Sequence, residues 1–269
     1  MTTITAPNSR HRLLKLLDRY SSLWVLLVFV SLFQVVVGTG LLHNPAIPAP
    51  TAVFANLYHG LFEGQHLLFL ATLDTLGRLL LGYGVAVICG AMLGMFAGRY
   101  PDFASALNPI VALWIPLPAI VTIPVLSLWL SADEAVIVLT VIFSGWIPVY
   151  LGALQGARSI SVHQLWVMRA YGASEWSQVC KVIIPGAFVH MIPSLRVGMG
   201  YAWRAVIAAE IIVQHGRGIG ITIFAAREFF DVPTMYAGVL MIAVLGLALD
   251  HLVFPAVERA TIKRWGLLA

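Results

Sequence analysis

From Leu67 to Ala97 the chain carries only two charges, Asp74 and Arg78, in an otherwise apolar stretch. A helix rises about 1.5 Å per residue and needs about 20 residues to cross a hydrocarbon core about 30 Å thick, so this run is long enough to span a bilayer. Five more apolar segments follow the same pattern, at about Leu23 to Leu42, Phe103 to Leu130, Ala135 to Leu154, Gly186 to Val213 and Thr234 to Val257. A soluble domain carries about 25% charged residues. Here 10% of 269 residues are charged, 60% are hydrophobic and the mean hydropathy is +0.90. The expected fold is all-α: a polytopic membrane protein with six transmembrane helices, and a soluble fold is excluded.

The basic N-terminus could open a signal peptide, but the run from Leu23 to Leu42 is too long for the apolar core of one and lacks a small-residue cleavage site. It is read as the first span. Cys89 and Cys180 lie far apart, with no second thiol at metal-ligand spacing, so neither a disulfide framework nor a cysteine metal site is expected.

Six spans put both termini on one side, and the bias of Lys and Arg selects that side. Arg10, Arg12, Lys15, Arg19, Arg99, Arg158, Arg169, Lys181, Arg259, Lys263 and Arg264 fall on one face, against Arg217 and Arg227 on the other. The first face is therefore expected to be cytoplasmic. Residues 1–22 become a cytoplasmic N-terminal segment and residues 158–185 a cytoplasmic loop within a single transmembrane domain, 1–269.

That loop is polar and capped. Ser161 and Gln164 are spaced as a capping box, Gly172 is placed to end the helix in a left-handed conformation, and Ser174 with Glu175 can start another helix ahead of Pro185. The first helix, about 15 Å long, is too short to span. Trp166, Met168, Tyr171 and Trp176 suit contact with a protein partner. Packing against the chain's own spans is the other reading.

Ionisable groups inside spans usually face a cavity or pair with one another. Asp74 and Arg78 stand one helical turn apart and can satisfy each other. Arg196 and Arg204 lie within about 80° of one another around a helix, so they can share a face. Such arginines either line a path for an anion, whose oxygens match guanidinium forks, or pair with Glu210, Asp250 or backbone carbonyls. Gly90, Gly94 and Gly98 repeat at four-residue intervals, a close-packing seam within the chain or between two copies. His59, Glu63 and His66 share a helical face, compatible in spacing with a metal, but read here as a short amphipathic surface helix; no metal site is assigned. No Ser/His/Asp set or acid pair is spaced for catalysis.

The run GASEWSQVCKVIIPGAFVHMIPSLRVGMGYAWRAVIAAE, from Gly172 to Glu210, resembles the cytoplasmic loop and following span of ABC importer permeases, most closely the nitrate, sulfonate and taurine branch. Residues 72–100 and 216–265 resemble that branch's second span and its last loop, span and basic tail. Relatives open the loop with Glu-Ala-Ala where this chain has Trp166, Val167 and Met168; the acidic residue is absent, and Glu175 lies close enough to replace it.

The resemblance implies an inner-membrane permease subunit of an ATP-driven importer for a small anionic solute of nitrate, sulfonate or taurine type. It implies a cytoplasmic coupling helix that docks on a separate ATPase through Arg169, Tyr171, Gly172, Ala173, Ser174 and Glu175. It further implies two ATPase copies, a second permease copy as a homodimer, and a periplasmic or lipid-anchored substrate-binding protein. The translocation-pathway candidates are Arg78, Arg196, Arg204 and Glu210. The subunit itself is expected to be non-catalytic and to hold no cofactor, ATP and Mg residing on the ATPase, and no nucleic acid enters the scheme. Consistent with this, no G-x-x-x-x-G-K-[ST] loop occurs. An ion-coupled secondary transporter or channel would lack that loop too, and stands as the alternative.

Overall fold

The computed structural model describes residues 24–25, 27–40, 44–63 and 66–260. The cytoplasmic N-terminal segment expected at 1–22 and the end of the basic tail lie outside the described residues, as do parts of the first expected span. Within that span a helix, α1, runs Leu27–Gly38. It is followed by α2, Pro50–Phe62, and then by α3, Leu67–Arg99. α4, Pro101–Trp114, and α5, Ala119–Trp129, precede α6, Asp133–Ser159. The short α7, Val162–Ala170, leads into α8, Glu175–Val213, and α9, Ile219–Glu228, into α10, Val232–Val257.

Four of these helices, α3, α6, α8 and α10, are long and apolar enough to cross a membrane. α6 is the central member, with α3 packed along one side and α8 along the other. Small residues let the backbones close up. A Cβ added at Gly90 would sit 2.6 Å from the Trp146 carbonyl oxygen, and Gly94 and Gly98 press on Tyr150 and Ala157 in the same way. The glycine seam therefore lies inside the chain, between α3 and α6. On the opposite face of α6, a Cβ added at Gly156 would sit 2.7 Å from the Ala187 carbonyl oxygen. Leu79, Ile137, Val141, Val149 and Val206 fill the core between the three helices.

The third expected span, Phe103 to Leu130, is not one helix. α4 and α5 meet at a bend of 101° around Ile115–Pro118. Pro116 and Pro118 explain it, since each lacks a backbone N–H and disfavours helix in the residue before it. The second loop helix also differs from expectation. It does not stop at Pro185 but runs on as α8, through a wide π turn at Val179–Ile183 in which the Ile184 N–H reaches back to the Val179 carbonyl. α10 repeats the device with a π turn at Leu249–Val253, two residues ahead of Pro255. In both, a widened turn absorbs the bond that a proline cannot donate.

α7 lies at the end of the bundle where α6 finishes and α8 begins, here termed the loop end. Asp133, Val213 and α9 mark the far end.

Candidate functional site

Three places in this fold gather polar chemistry. At the loop end, the capping box forms: the Gln164 N–H donates to Ser161 Oγ at 3.3 Å and the Ser161 N–H to Gln164 Oε1 at 3.2 Å. Gly172 closes α7 at φ +76°, where a left-handed backbone lets the Ala173 N–H donate to the Met168 carbonyl at 3.0 Å and its own N–H to the Arg169 carbonyl at 2.9 Å. Ser174 Oγ then caps the start of α8 by accepting from the Ser177 N–H at 3.2 Å. The buried Gln178 side chain donates to the Ala173 carbonyl at 3.2 Å and ties this turn to α8.

The loop is thus fixed in shape yet open to its surroundings. α7 has no fully buried residue: Leu165 and Met168 are half-buried and its other residues are exposed. Trp166 is 66% exposed and Tyr171 88%. Arg169, Gly172, Ser174 and Glu175 are exposed and Ala173 half-buried, with Arg169 and Glu175 3.8 Å apart.

At the far end, a closed knot joins four helices. Glu210 of α8 is fully buried and Arg78 of α3 nearly so, at 0% and 8% exposure. Arg78 Nη1 donates to Glu210 Oε1 at 2.8 Å and to the Arg217 carbonyl at 2.6 Å, while its Nε donates to Glu134 Oε2 at 2.8 Å and its Nη2 to Glu134 Oε1. Thr75 Oγ1 donates to Glu210 at 2.9 Å and accepts from the Ile219 N–H at 2.9 Å; the Gly220 N–H donates to Glu210 Oε2 at 2.9 Å. Among the described residues no buried side-chain polar atom lacks a partner.

The expected Asp74–Arg78 pair is therefore replaced. Asp74 accepts from Arg217 Nε at 3.0 Å instead, because Arg78 points inward to two carboxylates from other helices. Sequence reasoning missed the third party, the turn before α9. Its signal was Gly216, Gly218 and Gly220: a Cβ at Gly218 would sit 2.5 Å from the Glu210 carboxylate, and one at Gly220 2.8 Å from the Ile207 carbonyl.

Between the ends lies a cavity of about 740 Å³. The Trp114–Ala119 break forms one wall, the Phe143–Gln155 face of α6 another, and Pro193, Ser194, Val197, Tyr201 and Arg204 of α8 a third. A second cavity, about 530 Å³, separates α8 from α10 and shares Val197, Tyr201 and Arg204 with the first. Arg196 and Arg204 do share a face of α8, as expected. Arg196 forks onto Asp250 of α10, however, through Nε and Nη2, whereas Arg204 lies against the Tyr201 ring with 5.8 Å to its centroid. Of the four pathway candidates, Arg78 and Glu210 meet in the far-end knot; Arg196 and Arg204 border the cavities.

The remaining candidates sit on the surface. His59 bonds Glu63 within one turn, and a His66 ring nitrogen lies 3.0 Å from the Leu61 carbonyl oxygen. Among the described residues no group of three or more His, Cys, Asp or Glu side chains is arranged to hold a metal ion.

Comparison with known proteins places this arrangement. Residues 86–259 match the family described as binding-protein-dependent transport system inner membrane component. The taurine transport system permease protein TauC of Escherichia coli (strain K12) is 30% identical over 176 residues, covering 65% of this chain and 64% of that protein. SsuC of Bacillus subtilis (strain 168), named for aliphatic sulfonates transport, is 26% identical over 88% of this chain and 84% of its own length. The bicarbonate transport system permease protein CmpB of Synechocystis sp. (strain ATCC 27184 / PCC 6803 / Kazusa) is 26% identical over 84% of this chain and 83% of its own.

Proposed function

The chain belongs to the family of binding-protein-dependent transport system inner membrane components, the multi-pass permeases of ABC transporters, and from that premise we propose that it forms one lobe of an ATP-driven importer for a small anionic solute. The observation that carries this is the loop end: a capped helix, α7, with no fully buried residue, joined by the tight turn at Tyr171–Ser174 to the start of the long span α8. A segment so ordered and so uncovered fits a groove on a cytoplasmic ATPase, with Arg169, Tyr171, Gly172, Ala173, Ser174 and Glu175 at the contact. Both termini are then cytoplasmic.

Two such lobes, as a homodimer, enclose the path, and two ATPase copies bind ATP and Mg. A substrate-binding protein delivers cargo at the far end. The permease itself performs no chemistry and needs no cofactor; it alternates between outward and inward openings as the ATPases close and reopen. Taurine, aliphatic sulfonates and bicarbonate, named for the relatives, are anionic or carry an anionic group, which supports an anionic cargo here.

Gly172→Val tests the loop assignment. The site has open space around a new Cβ, so no clash arises, but φ +76° strains a β-branched residue by about 1–2 kcal/mol and should unwind the turn. In the reconstituted complex, uptake and binding-protein-stimulated ATP hydrolysis should fall together while the spans stay folded. Unchanged uptake and unchanged stimulation would remove the loop from the mechanism.

A further inference from the structure

We infer that Arg204 is the residue that holds cargo in the mid-bundle cavity, and that the cavity takes a small organic anion: a sulfonate or carboxylate head with a short apolar tail. The inference rests on the permease reading and goes beyond it by naming the contact and the class of ligand.

Three arginines lie within spans, and two have carboxylate partners, Arg78 on Glu134 and Glu210 and Arg196 on Asp250. Arg204 has neither a carboxylate nor a hydrogen-bond partner among the described residues, only the Tyr201 ring. It lies nine residues before the α8 terminus at Val213, about 14 Å into the span along the helix. A guanidinium stays charged at any accessible pH, and a charge at that depth faced toward lipid is strongly unfavourable. It must therefore face water, another protein surface or a ligand, and it borders two spaces, the cavity of about 740 Å³ and the one of about 530 Å³, of which only the second already holds a carboxylate, that of Asp250. The Tyr201 ring, 5.8 Å from the guanidinium carbon to its centroid, is a contact that occupies none of the five N–H donors.

The other walls define what that charge can hold. Thr122, Ser144 and Ser194 reach the cavity, but each donates its hydroxyl to a carbonyl of its own helix, at 2.7, 2.8 and 3.3 Å. They offer lone pairs, not protons, and lone pairs repel an anion. Gln155 is the remaining amide on the wall and can add a donor. The rest of the lining is apolar, led by Trp114, Phe143, Ile147 and Leu151. A fork of donors in one place and apolar wall elsewhere suits a ligand with oxygens at one end and carbon at the other.

Equilibrium dialysis of the permease–ATPase complex in nanodiscs, without any binding protein, tests this with methane-, ethane- and propanesulfonate and with nitrate. Binding should tighten about fourfold for each added methylene, as burial of a CH₂ predicts. Arg204→Gln should weaken propanesulfonate binding at least tenfold, with Arg204→Lys between it and the wild type because the charge remains and the fork is lost. Equal binding by the wild type and Arg204→Gln, nitrate bound as tightly as propanesulfonate, or no binding by the wild type would each overturn the inference. If Arg204→Gln fails to assemble, the chain-length series and the lysine variant still decide. Retention of the ATPase, scored on the same samples, separates failure of this site from failure of the permease reading.

Discussion

The two ends of the bundle treat their polar groups in opposite ways. At the far end, Glu210 is sealed from solvent and every oxygen it carries is engaged by Arg78, Thr75 or the Gly220 N–H. At the loop end, the backbone caps are complete while Trp166, Tyr171 and Trp176 have most of their surface uncovered. One end holds its geometry by contacts within the chain; the other is preorganised and leaves its large side chains uncovered. On the proposed reading, the difference separates residues that maintain the fold from residues that meet the ATPase.

The most damaging test of that contrast is Glu210→Ala. Removing this carboxylate leaves Arg78 with Glu134 alone and takes the acceptor from the Thr75 hydroxyl and the Gly220 N–H, a loss of about 3 kcal/mol, or a fall in Tm of about 10 °C in a detergent thermal-shift assay. A Tm that hardly moves would make the knot an ornament. Next, the paired change Trp166→Ala with Tyr171→Ala should leave Tm unaltered, since neither side chain is buried, yet abolish co-purification of the ATPase. A matching fall in Tm would place these residues on the structural side of the comparison. Smallest is Arg169→Ala. Its pair with Glu175 is long and exposed at 3.8 Å, so no change in Tm should be resolvable, and any loss of ATPase stimulation would report on the partner alone.

The loop end could be read from sequence because its determinants are local: Ser161 and Gln164 lie three residues apart, and Gly172 acts on its own turn. The glycine seam was legible as a seam, but its partner was not, because spacing along α3 contains nothing about α6. Hydropathy gave length without direction, which is why Phe103 to Leu130 looked like one span; Pro116 and Pro118 held the information about the 101° bend. The far-end knot was the least legible. Its partners stand 56 and 132 residues from Arg78, and the nearby Asp74 offered a plausible local match that tertiary packing overrode.

The 39-residue helix α8 joins the exposed loop end to the buried knot, and that continuity has a mechanical consequence. At about 1.5 Å per residue, the rod from Glu175 to Glu210 is about 53 Å long. Pinned at Glu210, it behaves as a lever with its fulcrum at the far end and its handle at Glu175. Ser194, on the cavity wall, lies about 24 Å from the fulcrum, so a swing of the handle arrives there reduced by about half. Arg204, about 9 Å from the fulcrum, receives about a sixth. The same stroke that would part the cavity's lower wall would leave its charged corner almost where it was.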